Sequence, residues 1–320
     1  MSSTATQQLP LLPRNVQDWK QKVTSHYQNR PAPSPHQVSW AGSSRIDERQ
    51  FLALRCIWPR SDTNQRLDNT NQVRSVELLP AYQSASTWLD QFPPFQDFLQ
   101  RIRTDTRSTP WNIGDTASAA YGLGIMEIPR RKQEMVLAAS RSSLSTLDEE
   151  MVFSSLMTFL EAISIRHPDN RCDWSAQRTQ ITAPFRTKPL RVRVDGRLIH
   201  PVSHEIKALV ETKKDSRGRV DPHVSWQETA EIVALLKTHD QNQGPPRSPF
   251  YLVVQDRTEL FVVAAVFTPA YVNYIRNNGS NLQDRDFLQM RRFGPWRMGH
   301  ADDVNQFAKI ALAIALKGSR

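Results

Sequence analysis

Two nearly uninterrupted apolar stretches, FYLVVQ at 250–255 and ELFVVAAVF at 259–267, set the tightest limit on how this chain can fold. Both have the length of a strand, and only Asp256, Arg257 and Thr258 separate them, so they read as a hairpin. Strands without polar alternation are buried on both faces. The pair therefore belongs inside a sheet flanked by helices.

The neighbouring sequence supplies the other elements. SLSTLDEEMVFSSLMTFLEAISI, from 143, sets Leu147, Met151, Leu156, Phe159, Leu160 and Ile163 on one helical stripe after a Ser/Thr start. Three β-rich stretches follow: TQITAPF at 179–185, LRVRVDGRLI at 190–199 and IKALVETKK at 206–214. The middle one alternates, with Leu190, Val192 and Val194 on one face and Arg191, Arg193 and Asp195 on the other. SWQETAEIVALLKTH is a second helix, with Trp226, Thr229, Val233 and Leu236 facing inward, and GPPRSP ends it. A closing helix from about 301, ADDVNQFAKIALAIALK, is expected to pack against the outside of the sheet. The order α, β, β, β, α, β, β gives an α/β fold with a mixed sheet.

Upstream the pattern thins. Residues 1–48 are rich in Gln, Ser and Pro, with PAPSP at 31–35, and are expected to form a disordered arm. FLALRCIW at 51–58 is expected to dock as strand or helix before a polar run at 60–72. SASTWLDQFPPFQDFLQRIR reads as a helix interrupted at Pro93 and Pro94. The expected organisation is an arm at 1–48, an extension at 49–143 packing on the core, and a main domain at 144–320. No stretch approaches a membrane span, and the N-terminus has neither a basic start nor a long apolar segment, so an intracellular protein, nuclear or cytoplasmic, with no membrane partner is expected. Cys56 and Cys172 are too few for a disulfide framework or a four-thiolate zinc site, and read as idle thiols.

The chemistry gathers on the strand at 206–214. Glu211 and Lys213 project from one face, and antiparallel pairing would bring Asp195 beside Glu211. Adjacent carboxylates are most simply reconciled by a divalent cation with oxygen ligands, Mg²⁺ or Mn²⁺. Such an ion polarises phosphoryl oxygens, while Lys213 is expected to hold water and neutralise developing charge rather than support the fold. Gln227, in the first turn of the following helix, would point its amide toward the same sheet edge. The alternative is a solvated ion pair, since a Glu-x-Lys spacing alone is weak.

The pattern RVDGRL, LVETKK and WQETAEIVALL, preceded by a helix and by WSAQR at 174–178, resembles the fungal branch of the PD-(D/E)XK nuclease-like superfamily. The resemblance covers about 144–268, and FGPWRM at 293–298 is similar to a C-terminal element of such proteins. It implies a restriction-endonuclease-like αβββαβ core. It also implies Asp195 as first acid, Glu211 as second, Lys213 as the lysine and Gln227 as the glutamine of the following helix. Some members add a glutamate from the first helix as a metal ligand; Glu149, Glu150 and Glu161 are available, and Glu161 is favoured by its mid-helix position. No Pro precedes Asp195, a departure the family tolerates. Members include proteins without demonstrated activity, so the fold implication is stronger than the nuclease one.

The net charge of +9 and a basic run suit a polyanionic partner. Between Arg166 and Arg197 stand eight Lys or Arg against three acids. Arg186, Lys188, Arg191, Arg193 and Arg197 are the expected nucleic-acid contacts, holding phosphates without reading sequence. Weaker candidates are His200 and His204 as zinc ligands, Trp174, Trp226 and Trp296 as stacking platforms against a core role, and PRRK at 129–132 as an import signal against a solvated cluster. The expected function is a Mg²⁺-dependent nuclease acting on DNA or RNA. The alternative is an inactive nuclease-fold protein serving as a nucleic-acid-binding or protein-interaction scaffold.

Overall fold

The computed structural model describes residues 12–59, 67, 70–104, 123–141, 147–217, 222–239, 246–279 and 282–320. Its helices are α1 (Val16–Tyr27), α2 (Glu48–Ala53), α3 (Thr70–Ser75), α4 (Leu79–Gln91), α5 (Pro93–Thr104), α6 (Glu127–Arg141), α7 (Glu149–Ser164), α8 (His223–Thr238), α9 (Pro269–Asn277) and α10 (Ala301–Gly318). Its strands are β1 (Cys56–Ile57), β2 (Asp173–Ser175), β3 (Thr179–Ala183), β4 (Leu190–Val194), β5 (Gly196–Ile199), β6 (Ile206–Lys213), β7 (Phe250–Asp256), β8 (Glu259–Val266) and β9 (Leu288–Arg297).

The expected hairpin is the centre of the fold. β7 and β8 pair antiparallel from Phe250↔Ala265 to Asp256↔Glu259, with Arg257 and Thr258 as the turn. Every residue of β7 is buried, as its lack of alternation requires. Around the hairpin a seven-stranded mixed sheet runs β1-β9-β8-β7-β6-β5-β2, parallel at β1/β9 and β6/β7. The two-residue period sorts side chains into two cores. Tyr251 and Val253 join the layer of α4, α5, α7 and α10, whereas Leu252 and Val254 join that of α1, α2, α8 and α9.

The closing helix, α10, packs against the sheet as expected; α4 and α5 cover it in turn, and its AKIALAIALK segment is apolar nearly all round. Two expectations need correction. The stretch 190–199 is not one strand, because it breaks at Asp195: β4 pairs with β3 in a separate two-stranded sheet, and only β5 joins β6. Gly196 permits the crossing, since a Cβ there would meet the Ser175 carbonyl and Met157 Sδ at 3.1 Å each. The expected antiparallel neighbour of 206–214 is therefore β5 alone.

The second correction concerns the arm. Residues 12–48 are ordered on the α8 and α9 layer, and residues 1–11 lie outside the described residues. Asn15 caps α1 by accepting the Asp18 N–H at 2.8 Å. Trp19, Val23, Trp40 and Ile46 are all buried, and Trp19 Nε1 donates to the Leu52 carbonyl at 3.1 Å. Four apolar anchors spaced this irregularly leave no periodic signal in a polar sequence. FLALRCIW divides between the end of α2 and β1, and the helix break falls at Phe92, ahead of Pro93. The polar run at 60–72 is described only at Leu67 and from Thr70 onward. Among the described residues no helix is long and apolar enough to cross a membrane.

Candidate active site

Alternation along β6 puts Leu209, Glu211 and Lys213 on the face that α8 covers. Gln227 and Glu231, one turn apart on α8, come down over them. Gln227 Nε2 donates to Glu211 Oε1 at 2.7 Å and to Glu231 Oε1 at 2.9 Å. Lys213 Nζ donates to the same Glu211 Oε1 at 2.5 Å and lies 3.6 Å from Glu149 Oε1, at the start of α7. Asp195, at the strand break, accepts the Thr212 N–H and hydroxyl on Oδ2. Asp195, Glu211, Lys213 and Gln227 thus meet from three separate stretches of chain.

The site is deeply buried. Glu211 is 2 % and Glu231 0 % exposed, and in each Oε2 has no hydrogen-bond partner. Burial pushes the Glu211 carboxyl up to about 8; Lys213 opposes the rise and Asp195 adds to it. Burial and the Glu211 charge likewise carry Glu231 well above the carboxylate range. Burial works against the Lys213 ammonium, yet the Glu211 carboxylate raises it above the ordinary lysine range. Both carboxyls therefore hold their protons to higher pH than usual, and ionising the two of them beside one ammonium leaves negative charge incompletely offset.

A buried arginine sets the pose of α8. The Arg217 guanidinium forks onto Glu228 at 3.0 and 2.5 Å, and its Nε donates to Asp256 Oδ2 at 2.6 Å. That bidentate clamp ties the start of α8 to the end of β7, so Gln227 and Glu231 face β6. Burial pushes Asp256 up to about 6 against the pull of Arg217. Nothing in the polar loop around Arg217 sets it apart in the sequence. Glu231 does leave a trace there, as a lone acid inside AEIVALL four residues after Gln227.

Glu161 does not join the site. It is exposed, the charge acting on it is Lys132, and it lies roughly 18 Å further along α7 than Glu149. The first-helix acid that reaches Lys213 is Glu149. Glu150 instead pairs with Arg178 at 2.7 Å, and Arg178 Nε stands 3.9 Å from Asp195 Oδ1. The oxygen donors suit Mg²⁺ or Mn²⁺, and the two orphaned Oε2 atoms are what a cation would take. Among the described residues, however, no group of three or more His, Cys, Asp or Glu converges to hold an ion.

Arg191 and Arg193 stand exposed on the outer face of β4, while Leu190, Val192 and Val194 pack inward. Arg186 and Lys188 are exposed on the turn between β3 and β4. Arg197 departs from the expected surface role: it is half-buried and donates to Gln177 Oε1 at 3.0 Å. His200 and His204 lie in a turn where His200 Nδ1 accepts the Ser203 N–H. Trp174, Trp226 and Trp296 are core side chains. In the 129–132 run Arg130 pairs with Glu127 and Glu134, and Lys132 with the Ser154 hydroxyl. Both cysteines are buried free thiols that burial pushes up, unsuited to nucleophilic work.

Neither models of known protein families nor curated proteins give a match to this chain. Its functional reading rests on the geometry.

Proposed function

We propose that the chain is a Mg²⁺- or Mn²⁺-dependent nuclease of the PD-(D/E)XK type that hydrolyses phosphodiester bonds of DNA or RNA. One observation carries this reading: two enclosed carboxyls, Glu211 and Glu231, share the Gln227 amide and each keep an unpartnered oxygen, with the Lys213 ammonium bonded to Glu211 alone of the two. Ionising such a set is costly, and a divalent cation that displaces the protons offsets that cost. Asp195 and Glu211 would hold the ion, which supplies Lewis-acid activation of the phosphate and of water when bound. Lys213, one-fifth exposed, reaches the surface of the site and offsets charge developing on phosphoryl oxygens. Gln227 keeps the two buried carboxyls in register. Arg191 and Arg193 attract the flanking phosphates.

A scaffold reading has support of its own. Lys213 neutralises Glu211 directly, Asp195 Oδ2 is engaged by Thr212, and no three-acid cluster forms among the described residues. Such a protein would bind nucleic acid or a protein partner without turnover.

A cleavage assay on plasmid and single-stranded substrates in Mg²⁺, Mn²⁺ and EDTA separates the two. The nuclease reading expects metal-dependent cleavage that falls at least about a hundredfold in Asp195→Asn. Absence of cleavage by the wild type, or an unchanged rate in the variant, supports the scaffold.

A further inference from the structure

An open cavity of about 420 Å³ lies where the turn after β3 meets the last turns of α8 and α9. His36, Phe185, Arg186, Lys237 and Arg276 line it. Lys237 sits roughly 15 Å further along α8 than Gln227, so this is a place distinct from the candidate active site.

Three lining side chains are cations and no acid lines the cavity. The charges acting on His36 are those of Lys237 and Arg186, and the charge acting on Lys237 is that of Arg276. Positive charge is concentrated here without an internal counter-ion among the described residues. Part of it serves the fold: Arg276 donates to the Leu236 and His239 carbonyls at 3.0 and 2.8 Å, and Lys237 Nζ donates to the Arg276 carbonyl at 2.5 Å. Those bonds close the helix ends, but partial charges on carbonyl oxygens do not cancel two full ones.

Two further groups keep polar atoms that the fold does not use. Arg186 is exposed and makes no hydrogen bond or ion pair with the described residues. His36 is 6 % exposed; its Nε2 bonds the Ile275 carbonyl at 3.0 Å, and its Nδ1 is buried with no partner. With the Nε2 proton committed to that carbonyl, neutral Nδ1 is an acceptor. It matches the O–H of a monohydrogen phosphate, and once protonated beside an anion it becomes a donor. Phe185 stiffens the wall, with Lys237 Nζ 5.3 Å from its ring centroid and the His36 ring edge-on to it at 5.1 Å.

We propose that this cavity binds a phosphate group, held by Arg186, Lys237 and Arg276, with His36 completing the hydrogen bonding. Free phosphate and the backbone of a nucleic-acid strand offer the three cations the same anionic oxygens, but only free phosphate also brings an O–H to neutral His36, and a strand phosphate would need His36 protonated.

The test is calorimetric titration of inorganic phosphate into the full chain, in EDTA and at constant ionic strength set with chloride. No metal is present and no bond is cut, so failure of the nuclease reading leaves this result untouched. Saturable binding is expected for the wild type. Arg186→Ala removes a side chain with no structural bond, and Lys237→Gln keeps a donor for the Arg276 carbonyl while removing the charge. Each should bind phosphate at least tenfold more weakly, with the phosphate-free melting temperature of Arg186→Ala unchanged. No saturable heat in the wild type, or wild-type affinity in either variant, overturns the proposal. Competition against a labelled single-stranded oligonucleotide identifies the source. Displacement by phosphate that Arg186→Ala abolishes assigns the cavity to a strand, and oligonucleotide binding indifferent to phosphate assigns it to a small phosphate.

Discussion

Asp195 Oδ2 receives both the backbone N–H of Thr212, at 3.0 Å, and its hydroxyl, at 2.9 Å. The carboxylate at the point where the chain leaves the small sheet for the large one is thereby fixed to the strand bearing Glu211 and Lys213. Thr212 is fully buried. Thr212→Val keeps its shape and removes one of two donors to an anion, which should cost about 1–2 kcal/mol. The measurement is the urea midpoint, expected to fall with no change in slope.

Stability should depend on pH in a stated direction. Glu211 titrates near 8 when folded against an ordinary 4.5, so the native state keeps a proton that the unfolded chain releases across that window. Stability is then highest at the acid end of that window and falls as pH rises through it. Asp256, raised to about 6, adds a slope of the same sign at lower pH. In EDTA, Glu211→Gln should flatten the melting profile between pH 6 and 8, and should exceed the wild type at pH 8 by about 1–2 kcal/mol.

From its sequence position Lys213 is expected to serve the reaction and not the fold, and the structure revises that expectation. Its ammonium is the direct hydrogen-bonding cation of buried Glu211. Above pH 8, where Glu211 is ionised, Lys213→Met should therefore destabilise the metal-free protein by about 2–3 kcal/mol, somewhat less than a fully broken buried pair because Glu211 can take up a proton, and the loss should shrink at lower pH. The double variant Glu211→Gln with Lys213→Met should recover most of that loss in a thermal melt. Equal stability of Lys213→Met and wild type would show that the ion pair carries no net weight in folding.

The strand bearing Glu211 and Lys213 is legible in the sequence because its chemistry lies two residues apart, and period-2 alternation converts that spacing directly into a shared face. Gln227 is legible for a related reason, standing in the first turn of an apolar helix. Asp195 is legible as an acid beside Glu211, but not as a hinge. LRVRVDGRLI alternates straight through the break, and the close packing that makes Gly196 necessary there appears only in the folded chain. A mid-helix position favours Glu161, whereas α7 meets the site at its first turn, a matter of helix placement that local pattern does not encode. Trp19 and Trp40 are hidden for the opposite reason, being long-range anchors in a polar segment.

Gly196 gives a direct test of the crossing. A methyl group there would press on the Ser175 carbonyl at 3.1 Å and on Phe153 at 3.3 Å. Gly196→Ala should cost about 1–3 kcal/mol by overpacking. Because Asp195 is the preceding residue, the nuclease proposal further requires that the variant lose more cleavage activity than its loss of stability accounts for, measured well below its melting temperature.

Nucleic-acid binding is tested through its salt dependence, whose slope reports how many phosphates the protein neutralises. The Arg191 and Arg193 side chains project outward from β4 and make no hydrogen bond or ion pair with the described residues, so replacing both with Ala should leave the melting temperature unchanged. Removing one side chain that neutralises a phosphate lowers the slope of log affinity against log salt by about 0.7–0.9, so the double variant should flatten it by about 1.4–1.8. The control must remove the same charge elsewhere. Arg101 and Arg103 on α5 belong to the opposite helical layer, where they pair with Asp97 and Asp302. Replacing those two lowers the net charge of +9 equally, yet should leave the slope at its wild-type value. Anisotropy titrations at a series of salt concentrations give both slopes. If the two double variants flatten the slope alike, binding follows the overall charge of the protein and not a track along β4, and Arg191 and Arg193 lose their assignment.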